Sequence, residues 1–203
     1  MYRWQAAFRR ALAVSFALLP VAGAAKEISP QVSSGLTQVR TEAVRVKEQV
    51  SNAAAAARKL ATSRRSNFAG SLDSFSKNLA SLKSTLAGGR EAVRDVDDQT
   101  AAYFTKWDEQ LRGMSEDLQK SGQKRKAEAM ASFDAVRGDL AEVRSSLKPF
   151  VDELSEVEKY LQMDQTKAGL NTVSSRLTST AERWPVIRRD LDKLIQRIDA
   201  IQR

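Results

Sequence analysis

The chain has 203 residues, 33 lysines and arginines against 25 acids, a formal charge of +8, and neither histidine nor cysteine. Those two absences remove the commonest general base and metal ligand, and with them disulfides, thiolate metal sites and a lipid-modified cysteine. Acids and bases alternate along the chain, which describes a solvated surface and excludes the concentrated basic footprint of a nucleic-acid binder.

The first 25 residues read as a unit of their own. Arg3, Arg9 and Arg10 make a positive start with no acid, the nine-residue run Ala11 to Leu19 is apolar, Pro20 breaks it, and Ala22-Gly23-Ala24 follows. That order predicts a secretory signal peptide cleaved after Ala24 or Ala25. Nine residues are too few to span a bilayer, which needs about 20, so an uncleaved anchor is the weaker alternative. The Arg9-Arg10 pair matches a twin-arginine signal only loosely. Cleavage removes three arginines and no acid, leaving 30 basic against 25 acidic residues and a charge of +5.

From residue 26 onward the dominant signal is a 3,4 spacing of apolar residues, an average step of 3.5 that keeps one narrow stripe facing a partner helix. Ser29 before Pro30 predicts the cap and first turn of helix A, which runs to about Thr62 on the track Val32, Leu36, Val39, Ala43, Val46, Val50, Ala53, Ala57 and Leu60. Ser63 to Gly70 is the first predicted turn. Helix B follows from about Ser71 to Lys120 on Leu72, Phe75, Leu79, Leu82, Leu86, Gly89, Val93, Val96, Thr100, Tyr103 and Trp107, with a kink expected at Gly88-Gly89. Ser121-Gly122 is the second predicted turn. Helix C spans about Gln123 to Leu161, and its track from Phe133 through Leu147, Phe150 and Leu154 to Leu161 stays in phase across Pro149, which predicts a kinked but continuous helix. Gln162 to Lys167 is the third turn. Helix D fills the remainder on Leu170, Val173, Leu177, Thr180, Trp184, Ile187, Leu191, Leu194, Ile198 and Ile201, bent at Pro185.

Three short turns joining long helices predict an all-α, elongated, antiparallel coiled-coil-like bundle of three to four helices, with residues 26–203 as a single domain. At about 1.5 Å per residue the longest helices reach roughly 50 to 75 Å.

Chemistry-bearing patterns are sparse. Asp95, Asp97 and Asp98 are the one tight carboxylate cluster, but the spacing lacks the loop and glycine turn of a calcium site, so a solvated helix face is expected. Gly88-Gly89-Arg90 and Gly122-Gln123-Lys124 lack the spacing and the preceding strand of a phosphate loop. Ser121 and Lys124, three apart on the expected turn, are the remaining serine-lysine option for a nucleophile. No catalytic, cofactor or metal residue is expected. Two basic runs, Lys124-Arg125-Lys126 and Arg64-Arg65, sit near predicted turns at opposite ends of the bundle. They are the candidate contacts to an anionic surface such as lipid headgroups or cell-wall polymer, against the plainer expectation that short charge runs serve solubility.

The segment Tyr103-Phe104-Thr105-Lys106-Trp107-Asp108-Glu109-Gln110-Leu111, then Leu147-Lys148-Pro149-Phe150, then Val157 to Leu170 resembles an uncharacterised bacterial envelope family catalogued as domain of unknown function 2959. In that resemblance Trp107, Pro149 and Leu170-Asn171 occupy the family's marked places, and the likeness covers most of residues 70 to 203. It implies export and a helical rod, and it supplies no activity or site.

The sequence therefore points to an exported, non-catalytic helical protein of the bacterial envelope, periplasmic or secreted, with a structural or protein-interaction role. Its expected partner is an envelope protein, an anionic envelope surface or a second copy of itself, with no nucleic acid and no cofactor. The alternative is a holdase-like periplasmic chaperone that shelters unfolded chains.

Overall fold

A computed structural model describes residues 29–203; the predicted signal peptide lies outside the described residues. The described chain is all helical. It forms α1 (Pro30–Ala61), a single 3-10 turn (Arg65–Asn67), α2 (Phe68–Leu111), α3 (Glu116–Met163), α4 (Lys167–Ala181) and α5 (Trp184–Ile201).

Local chemistry explains most of these boundaries. Ser29 Oγ accepts from the Val32 N–H at 3.3 Å while Pro30, whose missing N–H costs nothing in a first turn, opens α1. α2 runs unbroken through Gly88-Gly89, and α3 runs unbroken through Pro149, whose ring faces solvent while Leu147, Phe150 and Leu154 stay buried. The fourth arm is divided, with α4 ending at Ala181 and α5 restarting at Trp184. Pro185 sits in the first turn of α5, so the expected bend is a stop and restart.

The second turn lies elsewhere than expected. α2 ends at Leu111 and the reversal is Arg112 to Ser115, nine residues upstream of the Ser121-Gly122 site read from composition. Ser115 precedes Glu116 and Asp117, two acids in the first turn of α3 where the helix dipole favours negative charge, and Gly113 supplies the break. Gly122 instead lies inside α3, pressed on Leu111: a Cβ there would stand 2.3 Å from Leu111 Cδ2. The glycine is a packing residue. The first loop is also shorter than expected, since α2 has begun by Phe68.

The arms form a ring of antiparallel neighbours: α1 packs on α2 and on α4–α5, and α3 packs on the same two. Ion pairs read the register. Arg40–Asp199 at 2.6 Å and Lys47–Asp192 at 2.7 Å tie α1 to α5, Arg137–Asp97 at 2.9 Å ties α3 to α2, and Arg176–Glu153 at 2.5 Å ties α4 to α3. The α1–α2 seam is the closest. A Cβ on Gly35 would lie 2.6 Å from Gln99 Oε1 of α2, and Ala53, Ala54, Ala56 and Ala57 of α1 are all buried between its neighbours. One continuous apolar cluster, from Val32 to Ile201, holds the core positions of every arm.

The arms are unequal in length. Gly35, in the second turn of α1, lies against Val96 and Gln99, and α5 ends beside α1's first turns, where Gln202 Nε2 donates to the Ser33 carbonyl at 2.8 Å. Beyond that level, among the described residues, only α2 and α3 continue, as a two-helix hairpin closed by Arg112 to Ser115.

Candidate interaction surfaces

The two basic runs do lie at opposite ends, but their settings differ. Arg64 and Arg65 are exposed in the α1–α2 connection, with Arg65 opening the 3-10 turn. Lys124, Arg125 and Lys126 lie within α3, since the helix begins at Glu116; the expectation that they flank a turn fails because the turn is at Gly113.

That helical setting splits the triplet. Lys126 faces α2: its Nζ donates to Asp108 Oδ2 at 2.5 Å and stands 6.0 Å from the Phe104 ring centroid, so its stem and charge are both committed. The Lys126 hydrogen bond holds the Asp108 carboxyl below the usual carboxylate range. Lys124 and Arg125 project to solvent. Only those two, with Arg64 and Arg65, remain available to an external anion.

The aromatic residues around Lys126 close the open end of the core. Phe104 and Phe133 meet edge to face at 5.8 Å across α2 and α3, and Tyr103 and Trp107 likewise meet edge to face beside them at 5.6 Å. Phe104 and Phe133 are buried, while Tyr103 and Trp107 are half-exposed even though the heptad track places them in the core. Their helix outlasts α1, the arm that the track faces. Trp184 is likewise half-buried, at the α4–α5 break. Burial pushes the Tyr103 phenol up against the opposing charge of Arg125.

Other sequence candidates stay dispersed. Asp97 pairs with Arg137 while Asp95 and Asp98 are solvated, and among the described residues no group of carboxylates is arranged to hold a metal ion. Both glycine-rich runs are helical. Ser121 and Lys124 stand on an exposed stretch of α3, away from any enclosed cavity. A hollow beside Trp184, Pro185, Arg188 and Arg189 is open to solvent.

A charge cluster around one buried carboxylate escaped the sequence reading. Asp139, with a side chain 4 % exposed, receives hydrogen bonds from Arg197 Nε and lies 3.1 Å from Lys193 Nζ, which also reaches Glu142 at 2.7 Å. Burial pushes the Asp139 carboxyl up, yet the hydrogen bonds from Arg197 and Lys193 outweigh it and leave the group below its ordinary range. Asp139 flanks the core stripe beside Leu140, and its partners come from α5. Only the register of α3 on α5 reveals it.

No helix among the described residues is long and apolar enough to cross a membrane. No family model, curated protein or solved structure matches the chain, so the resemblance to the envelope family stands on the quoted segments alone.

Proposed function

We propose that the chain is an exported, non-catalytic helical bundle of the bacterial envelope that acts by binding through its surface. The observation that carries this reading is the distribution of its polar groups: the apolar residues close on one another in the interior and, apart from the ion-paired Asp139 and Asp190 and the buried Ser63 and Ser71, the carboxylates, lysines and serines that chemistry would need stand dispersed on solvated helix faces. The charged leader, the apolar run and the small residues at Ala22 and Ala24 support export.

Mass measurement of the protein recovered from the envelope fraction tests export, with loss of residues 1–24 or 1–25 expected; an intact Met1 on a membrane-embedded species overturns it. For surface binding, the variant Lys124→Glu/Arg125→Glu should lower envelope retention and blunt its salt sensitivity, because exposed charges are screened beyond about 10 Å near 0.1 M salt. Helicity and melting should not change, since neither side chain has an ion-pair partner among the described residues. Lys126 is left intact in that variant because it holds the hairpin together. Unchanged retention removes this patch from consideration, and turnover or a stoichiometric metal in pure protein overturns the non-catalytic reading.

A holdase role draws on one feature, the exposed Met114, Leu118 and Met130 of the hairpin. It predicts binding of a hydrophobic dye and suppression of client aggregation, neither of which a closed bundle provides.

A further inference from the structure

The α2–α3 hairpin carries the core stripe past the end of the helices that cover it. In the body, Asp139 points to α5; stepping back along α3 by heptads from Asp139 reaches Ser132, Arg125 and Leu118, which lie on that same side after α5 has ended. On α2, Val96 and Gln99 face α1 at Gly35, and the same side continues through Tyr103, level with the first turn of α1, to Lys106 and Trp107 past it. Among the described residues, the hairpin thus presents a face that no other helix covers, with a graded composition. Its tip is apolar and acidic, with Met114 and Leu118 exposed at 45 % and 56 % beside Glu116 and Asp117, and its base is aromatic and basic, with Tyr103, Lys106, Trp107 and Arg125.

We propose that this face docks a second copy of the chain, hairpin against hairpin, with the two copies running antiparallel about a two-fold axis. The tip of each copy then meets the base of the other. Met114 and Leu118 cover the partner's Tyr103 and Trp107, and Asp117 opposes the partner's Lys106 and Arg125. Four helices surround the junction, as in the body of each bundle. A two-fold contact requires a self-complementary surface, which the opposite charges of tip and base supply. Taken whole, the hairpin fits an anionic membrane or polymer poorly, because residues 104–133 hold six bases and five acids, close to neutrality, so an anion contact through Lys124 and Arg125 is local and does not cover this face.

Size sets the strength expected. From Glu116 to Phe133, α3 extends about 25 Å, and two helices side by side are about 20 Å wide, so the junction covers roughly 1,000 Å² in total. That is the lower bound for specific association, and the dimer should be reversible at micromolar concentration. The inference does not depend on where in the cell the protein acts.

Sedimentation velocity across about 1 to 200 μM, on protein purified from expression of the full 203-residue chain, provides the test. A concentration-dependent monomer–dimer equilibrium is expected. Leu118→Glu should raise the dissociation constant at least tenfold without changing helicity or melting, since its side chain is exposed, and Asp117→Lys should raise it as much with a small loss at the α3 N-terminus, where it replaces a first-turn acid. Adding Lys106→Glu and Arg125→Glu to Asp117→Lys inverts both partners and should restore the dimer. A monomer at every concentration overturns the proposal, as does a dimer indifferent to Leu118→Glu and Asp117→Lys. A wild-type monomer that binds phosphatidylglycerol vesicles through this hairpin assigns the face to a membrane and also overturns it.

Discussion

Asp139 shows how one charge inside an apolar arm is made tolerable. A carboxylate 4 % exposed would normally protonate or force the arm open, but Arg197 and Lys193 supply hydrogen bonds from the facing helix, and both keep part of their length in water. Because the folded carboxyl sits below its unfolded value of about 3.9, its contribution is present above that value and fades as pH falls through the lower, folded value. Asp139→Asn should therefore lose about 1–3 kcal/mol at pH 7 in urea denaturation. The difference from the parent protein should shrink as pH falls below about 4, where the parent carboxylate also protonates. A difference independent of pH would mean that Asp139 acts through packing alone.

At the scale of elements, the stripes gave the arms and their antiparallel order, since 3,4 spacing depends only on which residues leave water. Turn positions were legible less well. Ser121-Gly122 looks like a loop, yet Gly122 is small because Leu111 presses on it, whereas the true signal, Gly113 followed by Ser115, Glu116 and Asp117, is a stop and a start written four residues apart. Composition alone does not separate a glycine that breaks a helix from one that admits a neighbour. Substitution does. Gly138 lies mid-helix in α3 with nothing within 4 Å of an added Cβ, so Gly138→Ala should stabilise by up to about 1 kcal/mol through helix propensity. Gly169 lies in the first turn of α4, where a Cβ would stand 2.5 Å from the Asp164 carbonyl oxygen, a backbone atom held by the turn. Gly169→Ala should destabilise by about 1–3 kcal/mol despite the same gain in propensity. Equal effects at the two sites, read as shifts in the urea midpoint at constant slope, would show that the α3–α4 turn relaxes freely. The basic triplet teaches a related lesson, because adjacent residues on a helix point about 100° apart. Lys126 is consumed by Asp108 while Lys124 and Arg125 stay outside, and no linear reading of charge runs distinguishes them.

Across the whole molecule, stability should fall from the body toward the hairpin. α1 buries apolar residues from Val32 to Leu60 without a long gap, whereas between Thr105 and Ser132 only Leu111 is buried among 28 residues of chain. Helices hold their hydrogen bonds in water mainly through the apolar face that they bury, so this stretch has little to oppose local opening. Amide hydrogen exchange should accordingly show α1 and the facing half of α2 opening only with global unfolding, and residues 112–126 exchanging by a separate, lower-energy route. The aromatic group of Phe104, Phe133, Tyr103 and Trp107 marks the boundary between the two regimes, since it seals the core at the level where α1 and α5 end. Protection of residues 112–126 should then rise with protein concentration if a second copy covers the face, and stay constant in Leu118→Glu. Uniform protection along α3 at low concentration would mean that the hairpin is stabilised by its own helices, and that the uncovered stripe is no weak point in the bundle.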